Sequence, residues 1–200
     1  MRSIMFELND EKKDEKREEA GEALQAKLLK TRTILLSGEI NKELAERVIK
    51  QMLLLEADGD DPIKVFIDSP GGDADAGYAI FDMLRFIGPE VITIGMGTVA
   101  SAAALVHLAG EKQNRLSLPN AHFLIHQPLS GIRGVATEIE IHANELEKLR
   151  AKINRLIAEE TGQNFDKVSG DTDRDYWLNA EEALEYGLIS RIISTREDLA

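Results

Sequence analysis

The sequence contains no cysteine, and only five prolines and one tryptophan among 200 residues. The absence of cysteine excludes disulfide bonds and thiol chemistry. No uninterrupted apolar stretch approaches the roughly 20 residues of a membrane-spanning helix, so no membrane partner is expected. A net charge of −12 argues against nucleic acid as a partner. A glycine loop followed by Lys-Ser or Lys-Thr is also missing, which argues against a nucleotide phosphate site.

The rest of the composition predicts a single domain. Hydrophobic residues make up 43% of the chain, enough for one sizeable core, which we expect within residues 28–200. Residues 1–27 differ, because Asn9–Glu19 is an almost unbroken run of mixed charge, typical of a solvated helix or a disordered segment. Met1–Phe6 is too short for a signal peptide, so a cytoplasmic protein is expected.

A strand followed by a glycine turn is the first informative motif. The apolar, β-branched stretch Ile63–Ile67 leads into Ser69-Pro70-Gly71-Gly72, and a helix begins near Ala76. Paired glycines adopt backbone angles closed to other residues and let a ligand approach the main chain. Taken alone, the motif is equally consistent with close packing of a helix on a strand.

A second unit repeats this plan. Val91–Ile94 predicts a buried strand, Gly95 and Gly97 follow it, and a helix of small residues begins at about Ser101. A serine in the first turn of a helix lies beside unpaired N–H groups and the positive end of the helix dipole. Two such turns side by side would supply a nucleophilic hydroxyl and an oxyanion hole, as acyl transfer requires.

Ser101 needs a neighbouring base, because a serine hydroxyl is a poor nucleophile near neutral pH. The sequence offers four histidines. His107 lies in the helix that Ser101 opens, which carries it away from the hydroxyl and predicts a buried packing role. His126 ends a short strand that begins near His122, and carboxyl ends of strands are where α/β folds place functional residues. His142 belongs to a long polar helix, which indicates a surface or interface position.

A carboxylate should orient the imidazole. Asp171, Asp173 and Asp175 crowd one turn ahead of an aromatic pair. Aspartates also cap helices and form turns for structural reasons alone. Spacing therefore does not choose among the three.

At this point the sequence resembles a known family, the proteolytic subunits of the Clp ATP-dependent serine proteases. The resemblance runs from about residue 28 to residue 193 and rests on motifs that occur in the family's order. They are Ser69-Pro70-Gly71-Gly72, Ala100-Ser101-Ala102, Leu118-Pro119-Asn120, Ile125-His126-Gln127-Pro128, residues 137–143, Thr161-Gly162-Gln163, Asp171-Thr172-Asp173-Arg174-Asp175, Ala180-Glu181-Glu182-Ala183 and residues 185–189.

The resemblance implies a role for each site residue. The family's nucleophile falls on Ser101, its general base on His126 and its orienting carboxylate on Asp175. Its two oxyanion donors are backbone N–H groups that fall on Gly72 and Ala102.

The resemblance also implies an α/β, crotonase-like fold of repeated β-β-α-type units with a protruding handle helix. The handle region corresponds to residues 129–157, where apolar residues at alternating four- and three-residue steps form one helical stripe. The stripe comprises Val135, Ile139, His142, Leu146, Leu149, Ile153 and Leu156. In the family this helix interdigitates between two stacked heptameric rings.

Further contacts follow from the family pattern. Gly131 and Ile132 match the segment beside extended substrate, which would add as a strand through main-chain hydrogen bonds. Asp173 and Arg174 match contacts between the two rings. Phe66 matches an aromatic residue of the pocket that receives a docking loop of the ATPase.

The expected partners are a second copy of the chain or a paralogous subunit, a hexameric Clp AAA+ unfoldase, and unfolded polypeptides as substrates. No cofactor or metal is expected in this subunit, because the ATPase uses the ATP. Two alternatives remain open. One is a regulatory or scaffolding ring subunit that works with an active paralogue. The other is a crotonase-type acyl-coenzyme A enzyme that uses the same paired N–H groups.

Overall fold

The computed structural model describes residue 21 and residues 24–199. The predicted charged run lies outside the described residues, and residues 24–30 are helical. The strands are β1 (Thr33–Ser37), β2 (Ile63–Ser69), β3 (Val91–Ala100), β4 (Arg115–Ser117), β5 (His122–Ile125), β6 (Tyr176–Asn179) and β7 (Arg191–Ile192). The helices are α1 (Lys42–Ala57), α2 (Ala74–Phe86), α3 (Ala102–His107), α4 (Ala136–Thr161), α5 (Phe165–Asp171) and α6 (Ala180–Tyr186).

Five parallel strands form the main sheet in the order β1-β2-β3-β4-β7, with α/β crossovers between them. Strand β3 also pairs with β5 in parallel, and β5 pairs with β6 in antiparallel register. The carboxyl ends of β2, β3 and β5 therefore converge at one edge, where α/β proteins place their sites.

A bulge bends β3, and it corrects one sequence-based expectation. Gly95–Gly97 is not a turn that ends the strand, because β3 continues to Ala100. Instead the pairing with β2 shifts register there, Gly97 has a φ of 55°, and Asp68 Oδ1 accepts a hydrogen bond from the Thr98 N–H at 3.0 Å. A bulge of this kind re-aims a strand. Beyond it, β3 pairs with β5 instead of β4.

Helix α4 is buried only in its second half, where Ile153, Asn154 and Ile157 face the core. In its last turn, Glu160 forms ion pairs with Arg115 and with Arg85, which stabilise this end of the helix. Within the described residues, no helix is long and apolar enough to cross a membrane.

The predicted packing role of His107 is confirmed. Its side chain is 1% exposed, and its ring meets the Phe123 ring edge-on with 5.4 Å between centroids. Neither ring nitrogen has a hydrogen-bond partner among the described residues. Burial, with a smaller contribution from the positive charge of Arg115, lowers the pKa of His107 to about 3. The imidazole is therefore neutral in the folded protein near pH 7.

Acid sensitivity is expected from this histidine. Between about pH 6.5 and pH 3 the unfolded state binds a proton that the folded state does not, so the free energy of unfolding falls as pH falls. The slope from this group is at most about 1.4 kcal/mol per pH unit. Denaturant unfolding of His107→Leu should therefore depend less on pH than that of wild type between about pH 6.5 and pH 4.5. Exposed His122→Gln is the control, and parallel curves for wild type and His107→Leu would contradict the prediction.

Candidate active site

Ser101 stands at the end of β3 in a strained conformation. Its φ of 56° and ψ of −122° are rare for a residue with a side chain, and such strain is often stored at functional sites. The Ser101 N–H donates to the Leu124 carbonyl on β5 at 2.9 Å. This bond ties the serine to the strand that ends one residue before His126, and the sharp turn presents the hydroxyl at the sheet edge.

The structure brings three of the predicted residues into one hydrogen-bonded line. His126 Nε2 lies 2.8 Å from Ser101 Oγ, and His126 Nδ1 lies 2.9 Å from Asp175 Oδ1. The His126 side chain is largely buried, whereas the Asp175 side chain is 65% exposed. These distances match those of a nucleophile, a base and a group that orients the base.

Strand register explains why Asp175 is the aspartate whose carboxylate lies beside His126. In the antiparallel pair of β5 and β6, Ile125 lies opposite Tyr176. One further step in the same register places His126 opposite Asp175. Residues opposite each other in such a pair have neighbouring side chains.

The glycine turn after β2 packs directly against the serine. A Cβ on Gly71 would lie 2.7 Å from Ser101 Cβ and 3.0 Å from the Ala102 nitrogen. Gly72 has a φ of 146°, and a Cβ there would overlap the Ile40 carbonyl. Side chains at either position would force the surrounding backbone apart, which explains the pair of glycines.

Two backbone N–H groups are available beside Ser101. The Ala102 N–H is in the first turn of α3, where no partner within the helix exists. Within residues 24–199, the Gly72 N–H donates no hydrogen bond. Both are suited to stabilise a negative charge that develops on a substrate oxygen.

Comparison with known proteins decides the family. The Clp protease family model matches residues 16–196. ATP-dependent Clp protease proteolytic subunit 2 of Treponema denticola is 61% identical over 198 residues, which are 98% of this chain and 98% of that protein. Proteolytic subunit 3 of Rhizobium johnstonii is 48% identical over 96% of this chain and 100% of its own length.

The chain belongs to the Clp protease family. The solved structure of a ClpP1 point mutant from Listeria monocytogenes has a TM-score of 0.83 and 52% identity, and the match covers 88% of this chain and 99% of that chain. The crotonase-like α/β fold that the sequence predicted is thereby confirmed, and with it the membership of a serine peptidase family. Clp proteolytic subunits generally form oligomers and pair with Clp ATPases.

A cavity of about 510 Å³ adjoins the serine in this Clp family chain. Its floor is apolar and is formed by side chains of α3, β5 and α4. The lining includes Leu105, Ile125, Leu149, Ile153 and Ile157. His142 and Ser130 line the same cavity and are joined by a 2.8 Å hydrogen bond. The sequence indicated only a surface or interface position for His142. Because His142 and Ser101 are far apart along the chain, their place in one cavity could not be predicted.

The remaining predicted residues lie in exposed loops near the site. Gly131 and Ile132 are exposed in the loop that precedes α4. Asp173 and Arg174 are exposed in the turn before β6, and Asp173 Oδ1 lies 3.1 Å from the guanidinium of Arg150 on α4. Among the described residues, no group of three or more histidine and acidic side chains could hold a metal ion.

Proposed function

We propose that the chain is the serine endopeptidase subunit of an ATP-dependent Clp protease, with Ser101, His126 and Asp175 as its catalytic triad. The observation that carries this proposal is the line of two hydrogen bonds, 2.8 Å and 2.9 Å long, that joins the three side chains. In the described part of the chain, Asp175 is the acidic residue that forms an ion-pair contact with His126.

The geometry supports the following reaction. His126 Nε2 accepts the proton of Ser101 while Oγ attacks the carbonyl carbon of a peptide bond. The N–H groups of Gly72 and Ala102 stabilise the resulting oxyanion. When the carbon–nitrogen bond breaks, His126 gives the proton to the leaving amine. A water molecule, deprotonated by His126, then attacks the acyl carbon, the bond from that carbon to Ser101 Oγ breaks, and His126 returns the proton to Oγ.

The substrates we infer are unfolded polypeptides. An extended chain would run beside Gly131 and Ile132 and add as a strand, through main-chain bonds that tolerate many sequences. The apolar floor of the cavity favours an apolar side chain next to the scissile bond. Apart from this preference, the selectivity of the peptidase for its substrates depends mainly on access to the site.

Access would be controlled by assembly into two stacked heptameric rings, of this chain alone or with a paralogous subunit. The first half of α4 and the residue before it support this, because Val135, Ile139 and Ile141 are exposed apolar side chains. In a stack of rings they would be covered by the opposite ring, and Asp173 and Arg174 would contact it. The Asp175 turn would thus lie beside the ring interface.

A hexameric Clp AAA+ unfoldase is the partner we propose, in the cytoplasm, with ATP bound by the unfoldase alone. A separate apolar cluster supports a docking site for it. Ile94, Leu116 and Ile193 are buried there, and Phe66 packs against them while partly buried. An apolar loop of the partner would bury further surface on Phe66.

Labelling with a fluorophosphonate tests the proposal. Intact mass should show one adduct per chain, peptide mapping should locate it on Ser101, and native mass should show a ring assembly. An adduct on another serine would contradict the assignment of the nucleophile. Assembled rings that resist labelling, yet gain thermal stability with an acyl-coenzyme A, would favour crotonase-type chemistry. Labelling only in mixed rings with a paralogue would favour a regulatory subunit.

A further inference from the structure

The side chain of Asp175 makes few interactions that would hold it in position. Its side chain is 65% exposed, and the one hydrogen bond of that side chain within residues 24–199 is the bond to His126. An exposed charged side chain loses rotamer freedom when it is held in one geometry. The position of the Asp175 carboxylate therefore depends on the backbone turn that precedes β6.

That turn is anchored by a buried threonine. Thr172 is fully buried, and its hydroxyl lies 2.8 Å from Asn154 Oδ1 and 2.8 Å from the carbonyl oxygen of Val168. Asn154 is also buried, on α4, and its Nδ2 donates to Ser169 Oγ at 3.1 Å. The amide of Asn154 thus joins α4 to α5 and to the turn that leads into Asp175.

The same turn is bonded to the residue after the histidine. The Gln127 N–H donates to the Thr172 carbonyl at 2.6 Å, and its side-chain Nε2 donates to the Asp173 carbonyl at 2.6 Å. Gln127 directly follows His126 in the chain. One polar network therefore holds both the strand end that carries His126 and the turn that carries Asp175.

We propose that Asn154 and Thr172 are positioning residues for peptide hydrolysis, and that they act by holding Asp175 opposite His126. The inference rests on the proposed role of Asp175. The buried hydrogen bond between Asn154 and Thr172 is the link through which α4 restrains the triad. Removing the Thr172 hydroxyl leaves Asn154 Oδ1 buried without its donor, and removing the Asn154 amide leaves the Thr172 hydroxyl bonded only to Val168 within its own segment. Either change breaks the link between α4 and the turn, so the turn can relax.

Thr172→Val tests the link, because it removes the hydroxyl while keeping the shape of the side chain. We expect kcat for a short fluorogenic peptide to fall by about 10- to 100-fold with KM little changed, as for a small misplacement of a catalytic group. Thr172→Ser should restore most of kcat. In an Asp175→Asn background Thr172→Val should cause no further loss, because the group that it positions is already absent.

The matched control is Thr161→Val. Thr161 is also buried, and its hydroxyl donates to the Ile157 carbonyl four residues earlier, but it makes no hydrogen bond to the Asp175 turn. The Thr161→Val variant should lower the thermal midpoint of unfolding without a selective loss of kcat. Asn154→Leu repeats the test from the other side of the bond if Thr172→Val does not fold.

Two results would overturn the inference while leaving the proposed triad role of Asp175 in place. One is an equal fold-loss from Thr172→Val with and without Asp175→Asn, which would indicate a general structural effect. The other is unchanged kcat in both Thr172→Val and Asn154→Leu. If Asp175→Asn alone leaves kcat unchanged, the proposed triad role of Asp175 fails, and this inference fails with it.

Discussion

Replacing Ser101 by alanine is expected to lower kcat for peptide hydrolysis by about 10⁶-fold, the loss typical of a missing serine nucleophile. The Oγ that would form the acyl-enzyme is gone, whereas the Gly72 and Ala102 N–H groups remain. The oxyanion hole and substrate binding alone still support a rate about 10³–10⁴-fold above that in water. Activity on a fluorogenic peptide, with native mass of the same sample, measures both the loss and the assembly.

Ser190→Ala is the matched control for this prediction. The Ser190 hydroxyl donates to the carbonyl of Gln113 or Arg115, near β4 and β7 and away from the cavity. This variant should retain activity. A Ser101→Ala ring that still cleaves peptides at a substantial rate would mean that a different residue is the nucleophile.

Asp175→Asn is expected to cause the second-largest loss, up to about 10⁴-fold in kcat. Asparagine keeps the shape, but its amide does not hold the imidazole in the tautomer that leaves Nε2 free to accept the serine proton. The figure is an upper one, because Asp175 is 65% exposed and water can replace part of its interaction with His126. Steady-state kinetics should show the loss in kcat and little change in KM.

Asp171→Asn distinguishes this role from a general effect of losing an acid in the same run. Asp171 Oδ2 accepts from Lys167 at 2.6 Å and from the Tyr186 hydroxyl at 2.8 Å, so it is committed elsewhere. This variant should retain nearly full kcat. Equal losses from Asp171→Asn and Asp175→Asn would argue against a specific role for Asp175.

Much of the site could be predicted because its signals are local. A glycine pair after an apolar strand, a serine at the start of a helix of small residues, and a histidine at a strand end are each visible in a few consecutive residues. Local patterns fail where a strand is irregular. The glycines of 95–97 suggested a turn, yet Asp68, which is distant in the chain, supports a bulge there by accepting from the Thr98 N–H.

Helix α4 shows the same limit on a larger scale. Its apolar stripe was evident from spacing, but spacing does not say which half of the stripe packs on the chain itself. In the structure the stripe residue Ile153 is buried and Leu156 is partly buried, whereas Val135 and Ile139 are exposed. The buried half is the one that meets α5 and the turn after it, where Asn154 bonds to Thr172.

The sequence by itself determined the types of chemical group, the turns that carry them and, through its motifs, the family. It did not choose among Asp171, Asp173 and Asp175 by spacing. Tertiary structure decided this, because the pairing of β5 with β6 sets which aspartate lies opposite His126. It also decided that Asn154 and Gln127 meet the same turn. Pairing of distant strands and packing of a helix against a turn depend on the whole chain, so no short stretch of residues encodes them.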